Sequence, residues 1–313
     1  MVSLHNKPVI FIMGPTATGK TDAAAALFDR FPVSIISVDS SLVYRGMNIG
    51  TAKPDDEFLA RYPHHLVNVR EPMQTYSAAE FHGDAIELIR QAHAQGRVPV
   101  LVGGTFFYFN ALEQGLDKLP AAQDDLRKSI SAQAGEIGWP GLHERLAKLD
   151  PESALRIQPN DAQRVQRALE IVMTTGMPID RTKRRSSELA DCQIIKIGLG
   201  FSDRLELHKR IELRYQLMLD AGLVAEVEGL LAAGVQPDTT AMRMIGYRQT
   251  LEYLNGDISF KAAQLKGVAA TRQLAKRQLT WMRNQSNLIW WVDTGLKDKN
   301  FIQFGNLCEQ YLR

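Results

Sequence analysis

Three short apolar runs, PVIFIM from Pro8, VSIISV from Val33 and RVPVLV from Arg97, are separated in the first hundred residues by stretches whose apolar positions recur at helical spacing. Apolar strands alternating with helices predict a parallel sheet covered on both faces, an α/β architecture. A helix is expected from about Asp22, and another near residue 77, where Ser77 followed three residues later by Glu80 makes a capping box. Each strand runs into a polar or Gly-rich loop: GPTATGKT, then DSSLVYRG, then GGT. Ligands of open α/β sheets lie beyond the carboxyl ends of the strands, so these three loops are expected to converge on one site.

Past about residue 116 the pattern changes to helices broken by Pro and Gly, at LP from Leu119, GWPG from Gly138 and LDP from Leu149. The next strand-like run, QIIKIGLGF from Gln193, is expected to rejoin the sheet. The expected organisation is a core made of residues 1–116 and 190–313, a helical insertion at 117–189, and a mainly helical C-terminal part ending in the apolar IWWV. A chain of 313 residues accommodates roughly two domains at about 150 residues each.

Composition narrows the class. Apolar content of 45% and charge of 23% fit a soluble globular protein better than a disordered one. The apolar runs stop well short of the about 20 residues that a membrane span needs, and MVSLHNKP leads straight into the first strand, leaving no room for a cleaved signal segment. Cys192 and Cys308 form no spaced cluster, so neither a disulfide framework nor a zinc site is expected, and a reducing cytoplasm is the default. His64 and His65 are adjacent, point to opposite sides of an extended chain and read as structural. The net charge of +2 decides nothing, but residues 258–292 carry six basic side chains (Lys261, Lys266, Arg272, Lys276, Arg277, Arg283) and no acid. That segment suits a polyanionic partner, or else is a solvated face compensated elsewhere.

The first loop, made of Gly14, Pro15, Thr16, Ala17, Thr18, Gly19, Lys20 and Thr21, fits the pattern Gly, four residues, Gly, Lys, Ser or Thr between a strand and a helix. Its backbone N–H groups close around phosphate oxygens, Lys20 neutralises them and the Thr21 hydroxyl is placed to coordinate Mg²⁺. The core is therefore expected to be P-loop NTPase-like, with helices on both faces of the sheet. The pattern identifies phosphate without naming what carries it. Asp39 ends the second strand, beside the first in the expected sheet, so its carboxylate should face the phosphate loop. There it ligates a metal, takes a proton from an acceptor, or merely caps the next turn.

Basic clusters lie outside this core. In NDAQRVQRALEIVMTTG, a helix capped by Asn or Asp and stopped at Gly176, the positions Val165, Ala168, Leu169 and Val172 form a buried stripe. Gln163, Arg164 and Arg167 gather on one flank, able to grip a nucleic-acid backbone or simply to stay solvated. Arg210 and Arg214, four apart, invite the same two readings. RMIGYR from Arg243 combines cations with a tyrosine, as phosphate contact and base stacking require, unless the tyrosine is simply packed at a helix end. KRQLTWMR from Lys276 is similar, although Leu279 interrupts its basic stripe.

These residues alone leave three readings: an ATP-dependent kinase of a small molecule, a nucleotide-gated RNA-binding protein without chemistry, and an enzyme that modifies RNA. The sequence, however, resembles the bacterial tRNA dimethylallyltransferases (tRNA isopentenyltransferases) through most of its length. The match runs through GPTATGKT, SVDSSLVYRGMNIGTAKP, HHL with YSAAEF, VLVGGTFFY, LDPESALRIQPNDAQRVQRALE with TTG, and RMIGYRQ. The resemblance implies transfer of a dimethylallyl group from dimethylallyl diphosphate to N6 of the adenosine beside the anticodon, position 37, with Mg²⁺ and release of diphosphate. It implies that the 14–21 loop and Arg214 hold the diphosphate, that Asp39 is the base, and that Thr105 and Arg127 also serve catalysis. It places Asp39, Ser40, Ser41 and Leu42 along the tRNA path, with Gln163, Arg164, Val165, Gln166 and Arg167 of the insertion. Further along, it adds Arg243, Met244, Ile245, Gly246, Tyr247 and Arg248, then Lys276, Arg277, Gln278, Leu279, Thr280, Trp281, Met282 and Arg283. The helical insertion would embrace the anticodon stem-loop of tRNA, with no membrane partner and the chain acting as a monomer. Leu42 departs from the Gln that many relatives carry there, so the amide contact to the base implied for those relatives is not carried over to this chain.

Overall fold

The computed structural model describes residues 4–117, 119–179, 187–293 and 297–312. The chain divides into two compact units, Met1–Gly115 with Ser187–Arg313, and Leu116–Ser186.

The first unit is built on a six-stranded, wholly parallel sheet. Its strands are β1 (Pro8–Met13), β2 (Val33–Val38), β3 (His64–His65), β4 (Val98–Gly103), β5 (Gln193–Phe201) and β6 (Leu288–Asp293), in the order β3-β2-β4-β1-β5-β6. Between and after them run α1 (Lys20–Phe28), α2 (Asp56–Arg61), α3 (Ala78–Ala94), α4 (Phe106–Gln114), then α8 (Arg204–Asp220), α9 (Leu223–Ala232), α10 (Tyr247–Leu254), α11 (Phe260–Arg283) and α12 (Lys297–Leu312). The second unit holds α5 (Asp124–Leu149), α6 (Pro151–Arg156) and α7 (Ala162–Thr175).

Alternation along β1 explains why helices cover both faces. Val9, Phe11 and Met13 join a core with Phe81 and Ile89 of α3 and Phe109 of α4. Ile10 and Ile12 face the opposite way, onto Ala24 and Leu27 of α1 and Phe304 and Cys308 of α12. Each large side chain buried in this way contributes about 1.5–3 kcal/mol, so both layers depend on this one strand. The α3 capping box is present, with Ser77 Oγ accepting the Glu80 N–H and the Glu80 carboxylate accepting the Ser77 N–H. As expected, β5 rejoins the sheet, where it pairs with β1.

Two strands extend the sheet beyond the expected apolar runs: His64 and His65, extended as expected, form a short edge strand against β2, and IWWV is part of strand β6 against β5. Contrary to expectation, β4 lies between β1 and β2, so Asp39 does not end a strand adjacent to β1. The close seam between β2 and β4 requires Gly103, because a Cβ there would sit 2.0 Å from the Val38 carbonyl oxygen. The carboxyl ends of β2, β4 and β1 still come in succession along the sheet, and their loops meet.

In the second unit α5 breaks at Gly138 (φ 73°), just before Pro140, and doubles back. Ile130, Leu142 and Leu146 then pack with Ala154, Ile157, Val165, Ala168 and Leu169. Asp150 caps α6, accepting the Ser153 N–H at 3.0 Å. α7 starts at the Asp161 cap and ends at Gly176 in the left-handed region (φ 69°), and the stripe of Val165, Ala168, Leu169 and Val172 is buried as its spacing predicts.

Candidate active site

The 14–21 loop connects β1 to α1 through two left-handed residues, Ala17 (φ 67°) and Gly19 (φ 77°). A left-handed alanine costs free energy that only surrounding contacts can offset, and the Ala17 methyl packs with Leu207 and Ile211 of α8 and Ala275 of α11. Gly14 has no room for a Cβ, which would meet Thr18 Oγ1 at 2.7 Å and the Leu199 carbonyl oxygen at 2.9 Å. Thr18 Oγ1 and Lys20 Nζ both donate to the Pro15 carbonyl, at 2.8 and 2.7 Å. Burial takes the Lys20 ammonium down to a pKa of about 7; Arg214 pushes it the same way and Asp39 opposes them. Two cations brought together at the dipole-positive start of α1 make a site that favours a multiply charged anion.

The Asp39 carboxylate shares this field. Burial lowers the pKa of Arg214, and Asp39 opposes that shift. Asp39 Oδ1 accepts the Ser41 N–H at 2.8 Å and the Ser41 hydroxyl at 2.5 Å, so the turn-capping role is realised by one oxygen. Among the described residues no donor takes Oδ2. Thr105, at the end of the β4 loop, accepts the Ser40 N–H at 3.0 Å through Oγ1 and gives its own N–H to the Val38 carbonyl at 3.1 Å. It thereby clamps both neighbours of Asp39.

Arg214, on α8, donates to the Thr51 carbonyl at 3.4 Å. The 48–51 loop behind it is heavily tied. Glu226 of α9 accepts the N–H groups of Asn48, Ile49 and Gly50 at 2.8, 2.7 and 3.0 Å, and the Tyr247 hydroxyl at 2.6 Å. Lys53 Nζ reaches the Tyr44 carbonyl and the Asn48 and Asn68 side chains at 2.5, 3.0 and 2.6 Å. Burial lowers its pKa to about 8, against the pull of Glu226 and Asp56.

Several residues expected along a tRNA path are buried or tied into internal contacts. Tyr247 is fully buried, its hydroxyl pushed far up in pKa by burial and by Glu226, so it packs at a helix end and does not offer a stacking face. Gly246 and Met282 are buried with it, as is Val165 in the second unit. Gln278 is also buried; its Oε1 accepts the Thr16 N–H at 3.2 Å and its Nε2 donates to the Gly104 carbonyl at 2.8 Å. Leu279 is half-buried and packs in the cluster around Ala17. Arg243, Arg248, Lys276, Arg277, Thr280 and Arg283 are exposed, and Met244, Ile245, Ser41 and Leu42 are half-buried. Trp281 stacks on Phe106 at 4.9 Å between ring centroids. The basic 258–292 segment is partly neutralised, Lys266 pairing with Glu252 and Arg272 with Glu212.

Within the helical unit, Arg127 and Arg167 come together on Glu170, a carboxylate with 1% of its side chain exposed. Arg167 Nη1 lies 2.9 Å from it, Arg127 Nε 3.3 Å, and the Gln123 N–H donates at 2.7 Å. Arg167 Nη2 also donates to the Pro120 carbonyl at 2.7 Å. Gln166 donates to Ser131 Oγ and the Arg127 carbonyl, whereas Gln163 and Arg164 are exposed, the latter 3.5 Å from Asp161.

A sequence model described as IPP transferase matches residues 42–285 of the chain. The chain belongs to the IPP transferase family. It is 52% identical over 289 residues to a tRNA dimethylallyltransferase of Methylobacillus flagellatus, covering 91% of this chain and 92% of that protein. A tRNA dimethylallyltransferase of Thiobacillus denitrificans is 54% identical over 285 residues, 91% of either chain. Among solved structures, the tRNA isopentenylpyrophosphate transferase of Bacillus halodurans superposes with a TM-score of 0.71 at 36% identity, covering 98% of this chain and 97% of that one. A eukaryotic dimethylallyltransferase solved acting on tRNA gives 0.76 at 26% identity, over 97% and 79% of the two chains.

For an IPP transferase, the residues invisible to the motif reading are those whose partners are distant in sequence. Glu226 and Glu170 carry no local signature, and the sequence resemblance placed Gln278 on the tRNA path without showing its bridge to Thr16 and Gly104. Lys53 lies inside GTAKP, a lone lysine among small residues, which is its one local signal. Among the described residues no group of three His, Cys, Asp or Glu side chains could hold a metal, and no helix is long and apolar enough to cross a membrane.

Proposed function

We propose that this chain is a tRNA dimethylallyltransferase that moves a dimethylallyl group from dimethylallyl diphosphate to N6 of the adenosine at position 37, beside the anticodon, and releases diphosphate. The observation that carries the reading is the joining of an anion cradle, Lys20 and Arg214, to a single carboxylate in the same electrostatic field. As the allylic C–O bond breaks, negative charge accumulates on the departing diphosphate, and prearranged cations and N–H dipoles lower that barrier. The adenine N6 lone pair is delocalised into the ring, so the amine is a weak nucleophile until a base takes its proton. Asp39, with Oδ1 held by Ser41 and its neighbours fixed by Thr105, supplies Oδ2 for that purpose.

The donor set fits Mg²⁺ only in the way that suits this ion. No carboxylate cage exists among the described residues, and Thr21 offers one hydroxyl at the start of α1. Thr21 would hold such an ion, and a single protein hydroxyl suits Mg²⁺, which favours substrate oxygens and retained waters over an all-protein cage. When bound, it would neutralise charge on the leaving group.

The base must leave its stack to reach a site walled by protein, which also keeps water from hydrolysing the donor. The exposed Arg243, Arg248, Lys276, Arg277 and Arg283 serve tRNA phosphates, and the helical unit, through Gln163, Arg164 and Arg167, serves the anticodon stem-loop by backbone shape. The chain acts in the cytoplasm as a monomer. Incubating the protein with unmodified tRNA and dimethylallyl diphosphate, without ATP, and weighing the RNA tests the reading. A gain of one dimethylallyl unit supports it; no gain, with ATP consumed in a parallel assay, selects a kinase.

A further inference from the structure

The most completely satisfied carboxylate near the cradle is one that touches none of the groups assigned to the reaction. Glu226 takes three successive backbone N–H groups, of Asn48, Ile49 and Gly50, and the Tyr247 hydroxyl, all at 2.6–3.0 Å. Consecutive N–H groups converging on one carboxylate fix the course of that loop strongly, because charge-assisted bonds are the strong ones. The ring of Tyr247 closes the other side: a Cβ on Gly50 would lie 2.5 Å from it. The next residue, Thr51, turns its hydroxyl back to the Met47 and Asn48 carbonyls, at 2.7 and 3.2 Å, and its carbonyl accepts from Arg214. Arg214 in turn lies close enough to Lys20 to push its pKa down, and Asp39 lies close enough to Arg214 to oppose the lowering that burial imposes on the guanidinium. A chain of contacts thus runs from α9 through a rigid loop to a cation of the cradle.

We propose that Glu226 is a positioning residue for diphosphate binding: by fixing the 48–51 loop it sets the carbonyl against which Arg214 rests, and so aims the guanidinium beside Lys20. Glu226 reaches the anion only through Arg214. This rests on the reading that the 14–21 loop and Arg214 hold a diphosphate.

The test is a double-mutant cycle on the full chain, with inorganic pyrophosphate and Mg²⁺ as the probe in a calorimetric titration. Glu226→Gln keeps the shape but places an amide NH₂ against backbone donors. It should weaken pyrophosphate about tenfold, and less than twofold in an Arg214→Ala background, because the effect travels through Arg214. Equal weakening in both backgrounds, or none in the first, overturns the proposal and assigns Glu226 to general stability. Should Glu226→Gln fail to fold, Tyr247→Phe, which removes only the 2.6 Å bond, is taken through the same cycle, with a smaller loss in the Arg214 background only. An effect in Tyr247→Phe that persists without Arg214, or its absence, is equally decisive against it. Failure of the wild-type chain to bind pyrophosphate overturns the cradle reading itself, and that outcome is distinct from an additive cycle.

Discussion

Gln278 of α11 holds the phosphate loop from behind, accepting the Thr16 N–H at 3.2 Å while donating to the Gly104 carbonyl at 2.8 Å. One buried amide therefore joins the loop after β1 to the loop after β4, and a Cβ on Gly104 would lie 2.6 Å from its nitrogen. Only a side chain that both accepts and donates fits. Glutamate can accept from Thr16 but has no hydrogen for Gly104, which leaves two oxygens face to face in a buried place. Gln278→Glu should cost about 1–3 kcal/mol, lower the melting temperature and weaken pyrophosphate in a titration. An unchanged melting temperature would show that the bridge holds nothing.

Asp39→Asn separates the base from the turn it caps. The Asn carbonyl still accepts from Ser41, so the loop geometry, melting temperature and tRNA affinity should hold, while prenyl transfer falls by about 10²–10⁴, the range for losing a general base. Mass measurement of single-turnover product checks it, and wild-type rates in this variant would reassign the base.

The sequence made the local parts of this site legible and left out the distant ones. GPTATGKT needs only a strand before it and a helix after it, and the Ser77 box and the Asp161 and Gly176 ends of α7 are set by residues within one turn. The position of β4 between β1 and β2 was not legible, because parallel pairing is decided by which strands can approach, here through Gly103 against Val38. The same holds for RMIGYR. A tyrosine beside arginines looks like a stacking platform until tertiary contact sends it inward to Glu226, 21 residues away along the chain. Buried polar bridges such as Gln278 to Thr16, 262 residues apart, have no periodicity to betray them.

Lys53 supplies a pH signature for the loop behind Arg214. Burial lowers its folded pKa to about 8, against an ordinary value of 10.5. Between those values the unfolded chain binds the proton and the folded chain does not, so stability from this group rises with pH across that window. Below about pH 8 both states are protonated and the slope vanishes. Relative to Lys53→Met, the wild type should gain about 1 kcal/mol from pH 8 to 9.5, allowing for solvent screening of a half-buried ammonium. Denaturant unfolding of both proteins at the two pH values measures this, and parallel curves would place the ammonium in water.

In the helical unit two arginines three residues apart should behave differently. Arg164 is 73% exposed and only 3.5 Å from Asp161, an ion pair of little worth, whereas Arg167 is committed to buried Glu170 and the Pro120 carbonyl. Arg167, the Gln123 N–H and Arg127 together hold the Glu170 carboxyl below the usual carboxylate range, although burial acts to raise it. Its contribution to stability is present above the ordinary carboxylate pKa and is lost as pH falls through the depressed folded value. Arg167→Ala should therefore lower the melting temperature, by an amount that shrinks on acidification, besides weakening tRNA. Arg164→Ala should leave melting within about 0.5 kcal/mol of wild type, and lower the slope of log affinity against log salt by about 1 if that guanidinium meets a phosphate. Filter binding of tRNA over a salt series distinguishes them: an unchanged slope in Arg164→Ala assigns that arginine to solvent, and unchanged melting in Arg167→Ala removes the Glu170 cluster from the framework of the unit.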